Sequence, residues 1–197
     1  MKAFFGAIAL ALAALVSAAP ASASVYIFNG DNTGGPTYNR GLSGIPSGGL
    51  SAVGTAVHYE VFRFSVSLSG AYDFLMTAIA PVNWDTFLTL YYNEFDPTLP
   101  LSLDIAASDD FPSIGKSGFN GINLTAGTPY YAVAAGFNNT DVGTYGLQIS
   151  GPGNIIPFGA PSVPEPATWV MLILGVGMMG GLMRVQQRQR MGALTAA

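Results

Sequence analysis

The chain has no cysteine and a single histidine, His58. Without thiols there is no disulfide framework, no thiolate nucleophile and no cysteine ligand for a metal. With one imidazole a multi-histidine metal centre is absent. A Ser-His-Asp triad would have to use His58, and no Gly-x-Ser-x-Gly elbow is present to offer a serine. Charge is scarce too: Asp, Glu, Lys and Arg make up 9% of the 197 residues. Bases are the scarcer sign. Residues 24–163 hold ten acids against Arg40, Arg63 and Lys116, a net charge of −7. A surface of that sign repels phosphate backbones and argues against nucleic acid as a partner. No helical periodicity of useful length precedes residue 167. The expectation is a domain that is neither catalytic nor cofactor-dependent.

What is present is period-two alternation. In HYEVFRFSVSLSG, Phe62, Phe64, Val66 and Leu68 fall on one side and Val61, Arg63, Ser65 and Ser67 on the other. That is a half-buried strand ended by Ser69-Gly70. AYDFLMTAIA continues with Tyr72, Phe74 and Met76 on one face, most simply as the second arm of a hairpin. WDTFLTLYY, LSLDIAAS, SGFNGINLTAG, PYYAVAAGF and GTYGLQISGPG follow as further short strands, separated by Gly, Pro, Asn and Asp. Seven such segments over residues 57–152 predict an all-β domain, an antiparallel β-sandwich of jelly-roll type. Residues 24–56, rich in Gly, Ser, Asn and Pro, read as a loop-rich or weakly ordered leader, within which Val25–Phe28 could form a short strand at a sheet edge. Residues 153–163 read as a linker.

The succession YDF, WDTFLTLYYNEFDPTLPL, ASDD, INLTAGTPYYAVAAGF and DVGTYGLQISGPG, within residues 60–152, resembles the pre-peptidase C-terminal type of β-sandwich, a module that accompanies many secreted bacterial proteins. The resemblance speaks to fold more than to function, because sandwiches of this kind carry unrelated roles.

Both ends carry targeting chemistry. Lys2, an apolar stretch from Phe4 to Val16 and the small-residue site Ala21-Ser22-Ala23 have the three-part layout of a secretory signal, with cleavage after Ala23. Its apolar core is too short to remain as a span. At the other end, Pro164-Glu165-Pro166 precedes an uncharged run from Ala167 to Met183 and then Arg184, Arg188 and Arg190. At helical rise the run covers about 25 Å, just short of a typical hydrocarbon core, so it can span with little or no tilt. Trp169 suits one interface, and the arginine flank stays cytoplasmic together with the tail 191–197. Pro164-Glu165-Pro166 is thereby placed outside, where the secretory signal sends the domain. Gly177 and Gly181 have the GxxxG spacing of close helix packing, which also arises by chance in glycine-rich spans.

This ending, residues 164–190, closely resembles the PEP-CTERM sorting signal of Gram-negative exported proteins. The resemblance implies an exosortase that reads Pro164, Glu165 and Pro166 and removes the anchor. The chain departs from the usual pattern in the glutamines among its arginines and in the trailing MGALTAA. The implied partners are the secretion translocon, signal peptidase, exosortase and the inner membrane, with exopolysaccharide as a further candidate. The implied route is export, transient single-pass anchoring, then the cell surface or the medium.

Within the domain two groups are candidates for binding. Asp109-Asp110, with Asp85 or Asp104, could offer the several oxygens that calcium takes, although aspartates also favour loops because they cap turns. In Tyr91-Tyr92 and Tyr130-Tyr131, neighbours on a strand face opposite sides. One ring of each pair is then available either to stack on a sugar or to cover a sheet edge or the leader. Asn123-Leu124-Thr125 and Asn138-Asn139-Thr140 match the glycosylation sequon, which carries little weight in a bacterial protein.

Overall fold

The computed structural model describes residues 23–158 and, beyond them, Ile173 alone, which is helical. Among the described residues no helix is long and apolar enough to cross a membrane. The expected signal segment with Ala21, the Pro164-Glu165-Pro166 motif, the span 167–183 apart from Ile173, the arginines at 184, 188 and 190, and the tail lie outside the described residues.

Among the described residues ten strands form two antiparallel sheets: β1 (Ser24–Asp31), β2 (Thr37–Tyr38), β3 (Val57–Val66), β4 (Gly70–Ala80), β5 (Thr86–Tyr92), β6 (Asp104–Ser108), β7 (Lys116–Leu124), β8 (Tyr130–Gly136), β9 (Thr144–Gly151) and β10 (Ile155–Pro157). One sheet has the order β1-β9-β4-β7. The other has the order β10-β3-β8-β5-β6, with β2 paired to the start of β3. The seven expected strands are β3 to β9.

The alternation dictates the interior. Phe62, Phe64 and Val66 of β3 meet Tyr72, Phe74 and Met76 of β4 and Tyr145, Leu147 and Ile149 of β9 in one core between the sheets. Removing such side chains from water is the main driving force of the fold. Leu68, expected on the same face, is instead exposed, because β3 ends at Val66. The expected β3–β4 hairpin is also not formed. β3 pairs with β8, β10 and β2, and β4 with β7 and β9, so the chain crosses between sheets at Ser67–Ser69. The crossing sets the two apolar faces against each other, with the rings of Phe64 and Phe74 6.1 Å apart. A hairpin would have laid them side by side.

The domain extends past both expected boundaries. Val25–Phe28 does form an edge strand, but as part of the eight-residue β1 paired with β9 from Ser24 to Asp31. The remainder of the leader is irregular yet fastened down. Arg40 N–H bonds to the Gly54 carbonyl (3.1 Å), Ser51 N–H to the Arg40 carbonyl (2.9 Å), and Gly44 and Ala107 exchange backbone bonds. The linker begins later than residue 153, since Gly153 N–H donates to Tyr72 Oη (3.1 Å) and Ile155–Pro157 pairs with Val66, Ser65 and Phe64. These segments lack periodicity, so only their long-range partners order them.

The leader covers the outer face of the second sheet. β5 and β8 are therefore buried on both faces, which explains their near-continuous apolar runs. Leu88, Leu90, Ala132 and Ala134 point into the main core; Tyr91, Val133 and Ala135 point outward into a second cluster with Tyr38 and Val57.

Candidate functional site

The second sheet's outer face holds an open groove of about 380 Å³ lined by Tyr59, Val61, Arg63, Glu94, Phe95, Pro97 and Tyr131. Its floor follows from strand register. Tyr59, Val61 and Arg63 are alternate residues of β3, and Arg63 pairs directly with Tyr131 of β8. Its wall is the turn after β5, where Asp96 Oδ1 accepts from Thr98 N–H (2.8 Å) and Thr98 Oγ1 (2.7 Å). The aromatic rings support one another: Tyr38, Tyr59 and Phe95 pack edge-on with centroids 5.1–5.4 Å apart, and Phe95 also leans on Tyr91 at 4.8 Å. Arg63 donates from Nη2 to Tyr131 Oη (3.1 Å) while its guanidinium lies 5.0 Å from that ring and 5.1 Å from Phe158. The result is a half-buried aromatic surface flanked by one exposed base and one exposed acid.

The four sequence-predicted tyrosines separate here. Tyr131 lines the groove. Tyr91 is fully buried beneath the cover and donates to the Pro100 carbonyl (2.8 Å), and Tyr130 is buried in the main core with its hydroxyl accepting from Thr125 N–H (2.8 Å). Tyr92 is exposed at the strand end and lies outside the groove lining. Stacking is therefore open to Tyr131 and Tyr92, whereas Tyr91 and Tyr130 are packing residues. Burial pushes the Tyr91 hydroxyl far up and that of Tyr38 up to about 12. Tyr59, Phe95 and Glu94 were not foreseen as binding residues. The alternation of β3 could have placed Tyr59 beside Val61 and Arg63, but nothing local announces that the 94–97 turn folds over them.

A second cluster joins Asp85, Asp109 and Asp110, which each bring one carboxylate oxygen within 4.8 Å of the others. Asp104 is not among them; its Oδ2 accepts from Ser47 N–H (2.7 Å). Such a set of oxygens suits a hard cation. Burial, and then repulsion from Asp85 and Asp110, push the Asp109 carboxyl up to about 6, with Arg40 opposing. Burial, Asp110 and Asp141 likewise raise Asp85.

The sign of the pH dependence follows. The folded-state value of Asp109 lies above its ordinary 3.8, so the fold gains a proton as pH falls from 7 towards 4, and stability rises over that window. Asp109→Asn should therefore stabilise the domain at pH 7.5 by about 1 kcal/mol, allowing for the group's partial exposure. The gain should vanish below about pH 4. Thermal melts of both proteins at the two pH values check this, and an equal difference at both would contradict it.

Residues 162–189 match the PEP-CTERM protein-sorting motif. No curated protein matches the chain. The motif contains Pro164, Glu165, Pro166, Arg184 and Arg188, and it implies export and membrane-anchored processing by an exosortase in a Gram-negative bacterium. The class is thus an all-β, antiparallel domain followed by a PEP-CTERM sorting signal.

Proposed function

We propose that this is a non-catalytic cell-surface or extracellular-matrix protein, delivered through its sorting signal and released from its anchor by exosortase. One observation carries the reading: the matched motif begins at residue 162, directly behind a domain whose last described residue is Phe158. A folded module followed at once by a removable anchor is cargo with an address. In this reading the secretory signal is cut after Ala23, the span 167–183 is temporary, and the domain finishes outside the inner membrane. The test is the fate of a Glu165→Ala precursor in the producing cell, where retention of full mass in the inner membrane is expected.

A second reading, a carbohydrate-binding surface module, is favoured by the groove. Tyr59, Phe95 and Tyr131 provide apolar ring surface, while Arg63 and Glu94 offer a donor and an acceptor for hydroxyls. The volume falls in the range of small-ligand sites. The net charge of −7 argues for a neutral sugar over a polyuronate. Titrating neutral oligosaccharides into the domain by calorimetry tests this. Tyr131→Ala should weaken binding about tenfold, and an unchanged affinity would remove the groove from consideration.

A further inference from the structure

Among the described residues β1 is the outermost strand of its sheet and pairs only with β9. In an antiparallel ladder, alternate residues turn their backbone groups to opposite sides. Asn32, just past the strand, donates its N–H to the Gly143 carbonyl, so the even-numbered residues face β9. Asp31 donates its N–H away from β9, to Glu60 Oε2 at 2.8 Å, so the odd-numbered residues face the open side. Val25, Ile27 and Asn29 therefore present their N–H and C=O groups along a free edge. Glu60 closes that edge only at its Asp31 end.

Natural sheets blunt their edges with lysine, proline, bulges, short strands or a covering segment. The other three edges here are managed in these ways. β10 is three residues long and ends in Pro157. The β5–β6 ladder shifts register, and Gly44 bridges to Ala107 on the far side of β6. β7 carries Lys116, a register shift against β4 and Gly121 at φ 69°. Among the described residues β1 has none of these devices: its eight residues SVYIFNGD pair with β9 without a register shift, and Val25 and Ile27 are 58% and 59% exposed.

We propose that this edge pairs antiparallel with β1 of a second copy of the chain, joining two four-stranded sheets across a two-fold axis at Ile27. A two-fold seam must be self-complementary, and this one is. With Ile27 opposite Ile27, Val25 falls opposite Asn29 of the second copy, and every outward N–H and C=O of these three residues finds a partner. The exposed Ile27 side chains meet at the axis. Charge does not oppose the approach, since neither β9 nor β1 up to Gly30 carries a charged side chain. The register also lays Ser24 opposite Gly30 of the second copy, beside its Asp31. Removal of the signal after Ala23 would give Ser24 a free ammonium there, matching a cation to an anion at each end of the seam; this last point alone rests on the export reading.

Among the described residues both hydrophobic cores draw on the stretch from Tyr26 to Ile155, so residues 24–158 are the domain taken for the test. Sedimentation equilibrium at about 100 μM should find a dimer, in the affinity range of transient association. Ile27→Pro removes an N–H that makes no bond among the described residues, so the fold should persist while dimerisation weakens at least about tenfold. Ile27→Lys, which sets two like charges at the axis, should do the same. Circular dichroism verifies that each variant keeps the wild-type β spectrum. A monomer at every concentration overturns the proposal, as does a dimer indifferent to both substitutions. Neither result depends on whether Glu165 is read in the cell.

Discussion

Alanine in place of Glu165 is expected to leave the precursor uncut in the inner membrane, with the amount of processed protein reduced at least about tenfold. Proline fixes its own φ and disfavours helix in the residue before it, and the sequence Pro164-Glu165-Pro166 sets the motif's one carboxylate between two such residues. Glu165→Ala keeps both prolines and removes the charge. Losing a hydrogen bond to a charged group costs about 1.5–3 kcal/mol, which corresponds to a tenfold to hundredfold loss in recognition. Pro166→Ala keeps the charge and frees the backbone, and the same direction is expected. Export should be intact in both, because neither substitution touches the proposed N-terminal signal. Immunoblotting of membrane and medium fractions reads the outcome. Wild-type mass at the surface in both variants would mean that the motif is not read and the apolar run is a plain anchor.

Arg40→Ala should destabilise the domain by about 3 kcal/mol or more and lower its thermal midpoint by roughly 10 °C. Arg40 is 1% exposed, under the cover on the second sheet's outer face. Its Nε and Nη2 donate to the Phe137 carbonyl at 3.1 and 2.9 Å, and Nη1 to the Gly41 carbonyl at 2.9 Å. The guanidinium lies 3.9 Å from the Phe87 ring and 4.6 Å from that of Phe137. Gly54 makes room for it, since a Cβ there would sit 2.5 Å from Nε. Alanine leaves two carbonyls without donors, opens a cavity and removes the positive charge that offsets Asp85, Asp109 and Asp141. Lysine cannot replace the planar fork, so Arg40→Lys should recover little of the loss. Near-UV circular dichroism during a melt measures both, and a midpoint within about 2 °C of wild type would show that the cover does not depend on this side chain.

The sequence by itself determined which residues face the interior. Alternation in β3, β4 and β9 placed Phe62, Phe64, Val66, Tyr72, Phe74, Met76, Tyr145, Leu147 and Ile149 correctly in the core. It also supplied the sorting motif, whose order of Pro-Glu-Pro, apolar run and arginines is contiguous and needs no partner elsewhere to be read. Tertiary structure alone decided which strands pair. A period of two names a face but not a neighbour, so β3 followed by β4 is equally consistent with a hairpin and with a crossing between sheets. The same limit hid the groove and left the third member of the acidic cluster open between Asp85 and Asp104. Tyr131 reaches Arg63 across 68 positions, and Arg40 reaches Phe137 across 97. The leader looked unstructured because its order rests on a few such distant anchors, Tyr38 and Arg40 above all, and these leave no periodic trace in a Gly- and Ser-rich segment. Burial then separated Tyr91 from Tyr92 and Tyr130 from Tyr131. Adjacent residues on a strand face opposite sides, and only the packing of the cover and of the second sheet determines which side meets water.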